Sequence, residues 1–106
     1  MTQRREGAEP LKVQLVEERG VTSRLVHAEV MENGKLVMSG QDVGKAPREQ
    51  WGGDDYEFVV SVLPEQKDRV LLALLEQAFG GHFSAVDEFC AFLESRDIPF
   101  EFWSWA

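Results

Sequence analysis

Leu11, Val13 and Leu15 alternate with Lys12 and Gln14, the period-two signature of a strand with one buried face. Two further strand-like runs, Arg24 to Met31 and Lys35 to about Gln41, flank the dipeptide Asn33-Gly34. That dipeptide is the strongest short hairpin signal, because both central residues of a type I′ turn need positive φ. A two-residue turn there sets Met31 opposite Leu36, Val30 opposite Val37, Glu29 opposite Met38 and Ala28 opposite Ser39. One face would then carry Val26, Ala28, Val30, Val37 and Ser39. The other would carry Leu25, His27, Glu29, Met31, Leu36 and Met38.

From Gly40 to Asp55 the pattern dissolves into Gly, Asp, Pro and a lone Trp51, and it reads as a long loop of the kind that is often functional. A fourth strand follows, with Tyr56, Phe58, Val60 and Val62 on one face and Pro64 closing it. Val70, Leu71, Leu74, Leu75 and Ala78 then form one apolar helical stripe between Pro64 and about Phe79, stopped by Gly80-Gly81. Ser84 stands three residues before Asp87, a capping-box-like start for a second helix that carries Val86, Phe89, Cys90 and Leu93 and ends at Asp97-Ile98-Pro99. The closing Phe100-Glu101-Phe102-Trp103-Ser104-Trp105-Ala106 reads as a last strand, with Phe100 and Phe102 packed beneath the second helix and a tryptophan turned outward. The order ββββααβ implies an α+β fold, a four- to five-stranded antiparallel sheet with two helices on one face.

At 106 residues, 43% hydrophobic and 28% charged, the chain has the size and composition of one ordinary globular domain. Met1 to Pro10 reads as a flexible tail and residues 11–106 as the domain. The longest aliphatic run, Val70 to Leu75, falls far short of the roughly 20 residues a membrane-spanning helix needs. A single cysteine and a polar start give a cytoplasmic protein as the expectation. Charge changes the picture more. The net charge is −8, and from Glu76 onward Arg96 is the sole basic residue against Glu76, Asp87, Glu88, Glu94, Asp97 and Glu101. Such a surface repels nucleic acid and steers basic proteins toward itself.

Candidate chemistry is sparse. Cys90 sits mid-helix between Phe89 and Ala91, a setting that buries a thiol rather than activating it. His27 and His82 lack the spacing of a zinc pair, and no phosphate-binding or nucleophile-elbow motif occurs. No catalytic, cofactor or metal residue is therefore assigned. The acidic group Asp42, Asp54, Asp55 and Glu57 brackets the long loop, and its two ends would converge at one rim of the sheet. With Trp51, Trp103 and Trp105, residues whose large apolar area suits interfaces, it forms the candidate partner-binding set.

Between Leu25 and Tyr56, the sequence Glu32-Asn33-Gly34-Lys35, Leu36-Val37, Gly40-Gln41-Asp42-Val43-Gly44, Trp51-Gly52 and Asp55-Tyr56-Glu57 resembles a pattern of small uncharacterised bacterial proteins. The resemblance covers less than a third of the chain and brings no assigned activity. Four antiparallel strands followed by a helix are also similar in layout to single-stranded-DNA-binding coactivator folds, without the basic strand face those use.

The expected function is a non-enzymatic acidic interaction module, most concretely an immunity- or inhibitor-like protein that binds a basic partner. Homodimerisation through the C-terminal aromatics stays open. Two alternatives stand beside it. One is a single-stranded nucleic-acid binder using Tyr56, Phe58 and Trp51 as stacking platforms, which needs Lys12, Arg24, Lys35, Lys45 and Arg48 in one stripe. The other is a small enzyme or ligand-binding domain in which Asp42, Asp54 and His27 line a concavity in or beside the Gly40–Asp55 loop.

Overall fold

The structure, a computed structural model, describes residues 11–44 and 55–106. It is α+β: β1 (Lys12–Glu18), β2 (Thr22–Val30), β3 (Leu36–Gly44) and β4 (Asp55–Val62), a 3₁₀ turn at Pro64–Gln66, then α1 (Lys67–Phe79) and α2 (Ala85–Ser95). The chain divides into two compact units, one through Lys67 and one from Asp68 onward. The proposed tail, Met1 to Pro10, lies outside the described residues.

The sheet is an antiparallel meander in the order β1-β2-β3-β4, each strand beside its chain neighbour. Its register corrects the hairpin by one residue. Val30 lies opposite Leu36, Ala28 opposite Met38 and Val26 opposite Gly40. The turn holds three residues, Glu32, Asn33 and Gly34, closed by Met31 N–H donating to the Lys35 carbonyl at 2.8 Å. Only Gly34 has positive φ (+89°), so this is a type I turn followed by a left-handed glycine rather than type I′. The Asn33 side chain accepts the Lys35 backbone N–H at 3.0 Å and stiffens it.

A one-residue slip exchanges the faces of a strand. Leu36 and Met38, not Val37 and Ser39, join Val26, Ala28 and Val30, and β4 adds Phe58, Val60 and Val62 as its alternation predicts. In β1 the alternation also breaks. Val13 pairs with Ala28 and Val16 with Val26, which leaves Leu15 in a bulge rather than on the expected stripe. The result is one apolar face spanning all four strands, with Val26 at its middle as the most buried hydrophobic side chain described. The opposite, more polar face carries Gln14, His27, Glu29, Ser39, Gln41, Glu57 and Ser61, with Leu25, Val37 and Val59 among them.

β3 also runs further than its composition suggests. Gly40 to Gly44, expected to open the loop, completes the strand against both neighbours. The segment 45–54 lies outside the described residues.

In the helical unit, Phe79 and Phe89 meet edge to face, centroids 5.9 Å apart, where α1 passes α2. Gly80-Gly81 ends α1 as expected. The start of α2 differs from a capping box: the Ser84 hydroxyl donates to Glu88 Oε2 at 2.6 Å rather than capping a backbone N–H. His82 Nδ1 meets the other Glu88 oxygen at 2.8 Å, so the local acid used is Glu88 and not Asp87. These two contacts, Ser84 first, hold the Glu88 carboxyl below its ordinary value. At the far end of α2, Ile98 N–H reaches the Leu93 carbonyl and Asp97 N–H the Glu94 carbonyl, a Schellman closure with Asp97 in the left-handed position at φ 55°. Aspartate tolerates that conformation less well than glycine. Asp97→Gly should therefore raise stability by about 1 kcal/mol, read as a higher urea midpoint at unchanged slope.

Residues 99–106 form no strand. A fifth strand needs alternation, and Phe100 and Phe102 are followed directly by Trp103, which breaks it. Phe100 and Phe102 are exposed rather than packed.

Candidate partner-binding surface

Among the described candidates, Asp42 is the most strongly engaged. It is buried, and Arg24, its cross-strand neighbour, donates Nε and Nη2 to its two carboxylate oxygens at 2.7 Å each. These hydrogen bonds, ahead of the guanidinium charge, hold the Asp42 carboxyl below its ordinary value, while burial pushes the other way. The guanidinium lies 5.6 Å from the centroid of Phe58, which stacks on Tyr56 at 5.6 Å. Phe58 in turn crosses Gly40, its partner in β3. Asp42 is thus spent inside the protein, holding one end of the apolar face together.

The two ends of the long connection do meet: Val43 pairs with Asp55 and Asp42 with Tyr56. Strand alternation, however, puts Asp55 and Glu57 on the opposite face from Asp42, and both are exposed. The described acidic residues thus share one end of the sheet but are divided between its two faces. Asp54 and Trp51 lie outside the described residues.

The other two arrangements considered from sequence come apart in the same way. His27 shares a shallow hollow of about 200 Å³ with Ser39, Gln41 and Glu57 on the polar face, where its Nδ1 is buried without a hydrogen-bond partner. Asp42 is on the other face and does not line it. Of the basic residues, Lys12 is on the polar face at the outer strand, Arg24 on the apolar face at the far end, and Lys35 beside the hairpin turn, which is no stripe. Lys45 and Arg48 lie outside the described residues.

What remains is exposed apolar surface. On the sheet, Leu11, Val13, Ala28, Val30 and Leu36 line a groove of about 360 Å³, and Met38 and Val60 stand open beyond it. On the helical unit, Leu72, Leu74 and Val86 are each more than half exposed. Trp103 and Trp105, 69% and 79% exposed, stack on one another with centroids 4.7 Å apart. Two residues apart on one side of the chain, they form a single outward aromatic plate. Seven carboxylates, Asp68, Glu76, Asp87, Glu88, Glu94, Asp97 and Glu101, accompany this unit against Arg69 and Arg96.

Cys90 is partly buried on α2. Among the described residues no cluster of His, Cys, Asp and Glu is arranged to hold a metal ion, and no helix is long and apolar enough to cross a membrane. Compared with known proteins, the chain matches no family model, no curated protein and no solved structure.

Proposed function

We propose that this chain is a non-enzymatic interaction module that binds a basic protein partner, in the manner of an immunity or inhibitor protein occupying a cationic site. The observation that carries this reading is the coincidence, on the unit from Asp68 onward, of uncompensated carboxylates with large exposed apolar side chains that include the Trp103–Trp105 plate. Contiguous apolar surface is rare on a protein that works alone. Carboxylates around it select a partner of the opposite sign and speed its approach.

The test is capture from the native host at low salt, with retention expected to fall as salt rises because exposed charges are screened. Recovery of no basic protein would defeat the reading. Removing Trp103 to Ala106 should weaken capture strongly and lower folding stability by no more than about 1 kcal/mol, since exposed residues away from the core contribute little. Outright unfolding of the truncated chain would return both tryptophans to the core.

A further inference from the structure

We infer that the groove between α1 and α2 is the seat for a lysine- or arginine-rich amphipathic helix of the partner. This rests on the proposed function and names the part of the surface, and the form of partner, through which it operates.

The groove is an open hollow of about 210 Å³ lined by Leu75 and Phe79 of α1 and by Ala85, Val86 and Phe89 of α2. Its walls are wholly apolar, and Val86 is 61% exposed within it. Helical spacing extends the α1 wall. Leu72, Leu75 and Phe79 fall at i, i+3 and i+7, and Leu72 is 65% exposed. A stripe of that kind, running beside a second helix, is what an incoming amphipathic helix meets with its own i, i+3, i+4 and i+7 anchors. The shorter wall, α2, has 11 residues, or about 16 Å at 1.5 Å per residue, enough for three turns of a partner helix.

Charge selects the occupant. Asp68 heads the stripe, four residues before Leu72. On α2, Asp87 and Glu94, seven apart, share the row beside Val86 and Cys90, and both are exposed. Neither carboxylate has a cation of its own helix turn beside it: positions three and four before and after Asp87 are Ser84, Phe83, Cys90 and Ala91, and those before Glu94 are Ala91 and Cys90. An acidic helix would bring like charge to the α2 wall, whereas a basic one supplies the missing partners there as its apolar face fills the groove. A second copy of this chain has the wrong sign, because its own α2 carries the same carboxylates and no cation.

The full chain should be titrated with a fluorescent 18-residue lysine–leucine peptide patterned as an amphipathic helix. Two controls accompany it: a scramble of the same composition, and a version with glutamate for lysine. The structure requires binding of the first, at least about tenfold weaker binding of the scramble, and none of the glutamate peptide. Val86→Arg, at an exposed position that should fold, must weaken binding at least about tenfold. Glu94→Lys must weaken it with the groove itself untouched, while Ser61→Arg, exposed on the other face of the sheet, must leave it unchanged. Equal binding of the scramble, indifference to Val86→Arg, or self-association abolished by Val86→Arg would overturn the inference. If capture from the host yields a basic protein whose retention ignores Val86→Arg, the proposed function stands and this seat for it falls.

Discussion

Gly40→Ala is expected to lower the unfolding free energy by about 2–3 kcal/mol, the upper part of the range for overpacking a fitted site. A Cβ at position 40 would stand 2.6 and 2.8 Å from two ring carbons of Phe58 and 2.9 Å from the Leu25 carbonyl oxygen. The carbonyl belongs to a paired strand and cannot yield, so the ring must leave. The ring is also the surface under the Arg24 guanidinium and the partner of Tyr56. One added methyl therefore disturbs three contacts at the end of the apolar face. Urea unfolding measures the loss. Phe58→Leu in the Gly40→Ala background should recover part of it, because the smaller side chain vacates the space, although the same change in the native background destabilises. A Gly40→Ala protein within about 0.5 kcal/mol of the parent, the range of neutral surface changes, would mean that Phe58 does not depend on the missing Cβ.

Gly40 also shows what was legible in the sequence and what was not. Local signals located the four strands and both helices: the alternation of Tyr56, Phe58, Val60 and Val62, the position of the Asn33-Gly34 turn, and the Gly80-Gly81 stop all agree with the structure. The misread positions were those whose partners are distant in sequence. Gly40, Asp42 and Gly44 are turn formers by local chemistry, and only Phe58 and Arg24, each 18 residues from its partner, explain why they continue a strand. The hairpin register is a different case. Asn33-Gly34 serves both a two-residue and a three-residue turn, and the dipeptide alone does not choose between the two registers. The acidic residues meet at one end of the sheet but divide between its faces for a purely geometric reason. Asp42 faces Tyr56 across the ladder, so Asp55 and Glu57, one residue to either side of Tyr56, must point the other way.

The Arg24–Asp42 pair should make stability sensitive to acid in a way that two substitutions separate. Asp42→Asn removes the charge and retains a polar side chain, while leaving Arg24, about half exposed, free to turn to water or to Glu18, its neighbour on β1. About 1.5–3 kcal/mol is the expected loss at neutral pH, the usual worth of hydrogen bonds to a charged group. Arg24→Met should lose more. It strands a carboxylate that is only 12% exposed and leaves Glu18 without its facing cation, and an unpaired buried charge is more damaging than an absent pair. The pH dependence follows from the direction of the Asp42 shift. Its carboxyl in the folded protein titrates below the ordinary value near 4, so the unfolded chain takes up the proton first as pH falls. The pair's contribution is therefore complete above that value and drains away as pH drops through the lowered one. Plotted against pH, the stability difference between the parent and Asp42→Asn should be flat from neutrality to about pH 5 and shrink steadily below about pH 4. A difference that stays constant into the acid limb would show that Asp42 carries no depressed titration, and that the Arg24 contacts hold an ordinary surface carboxylate.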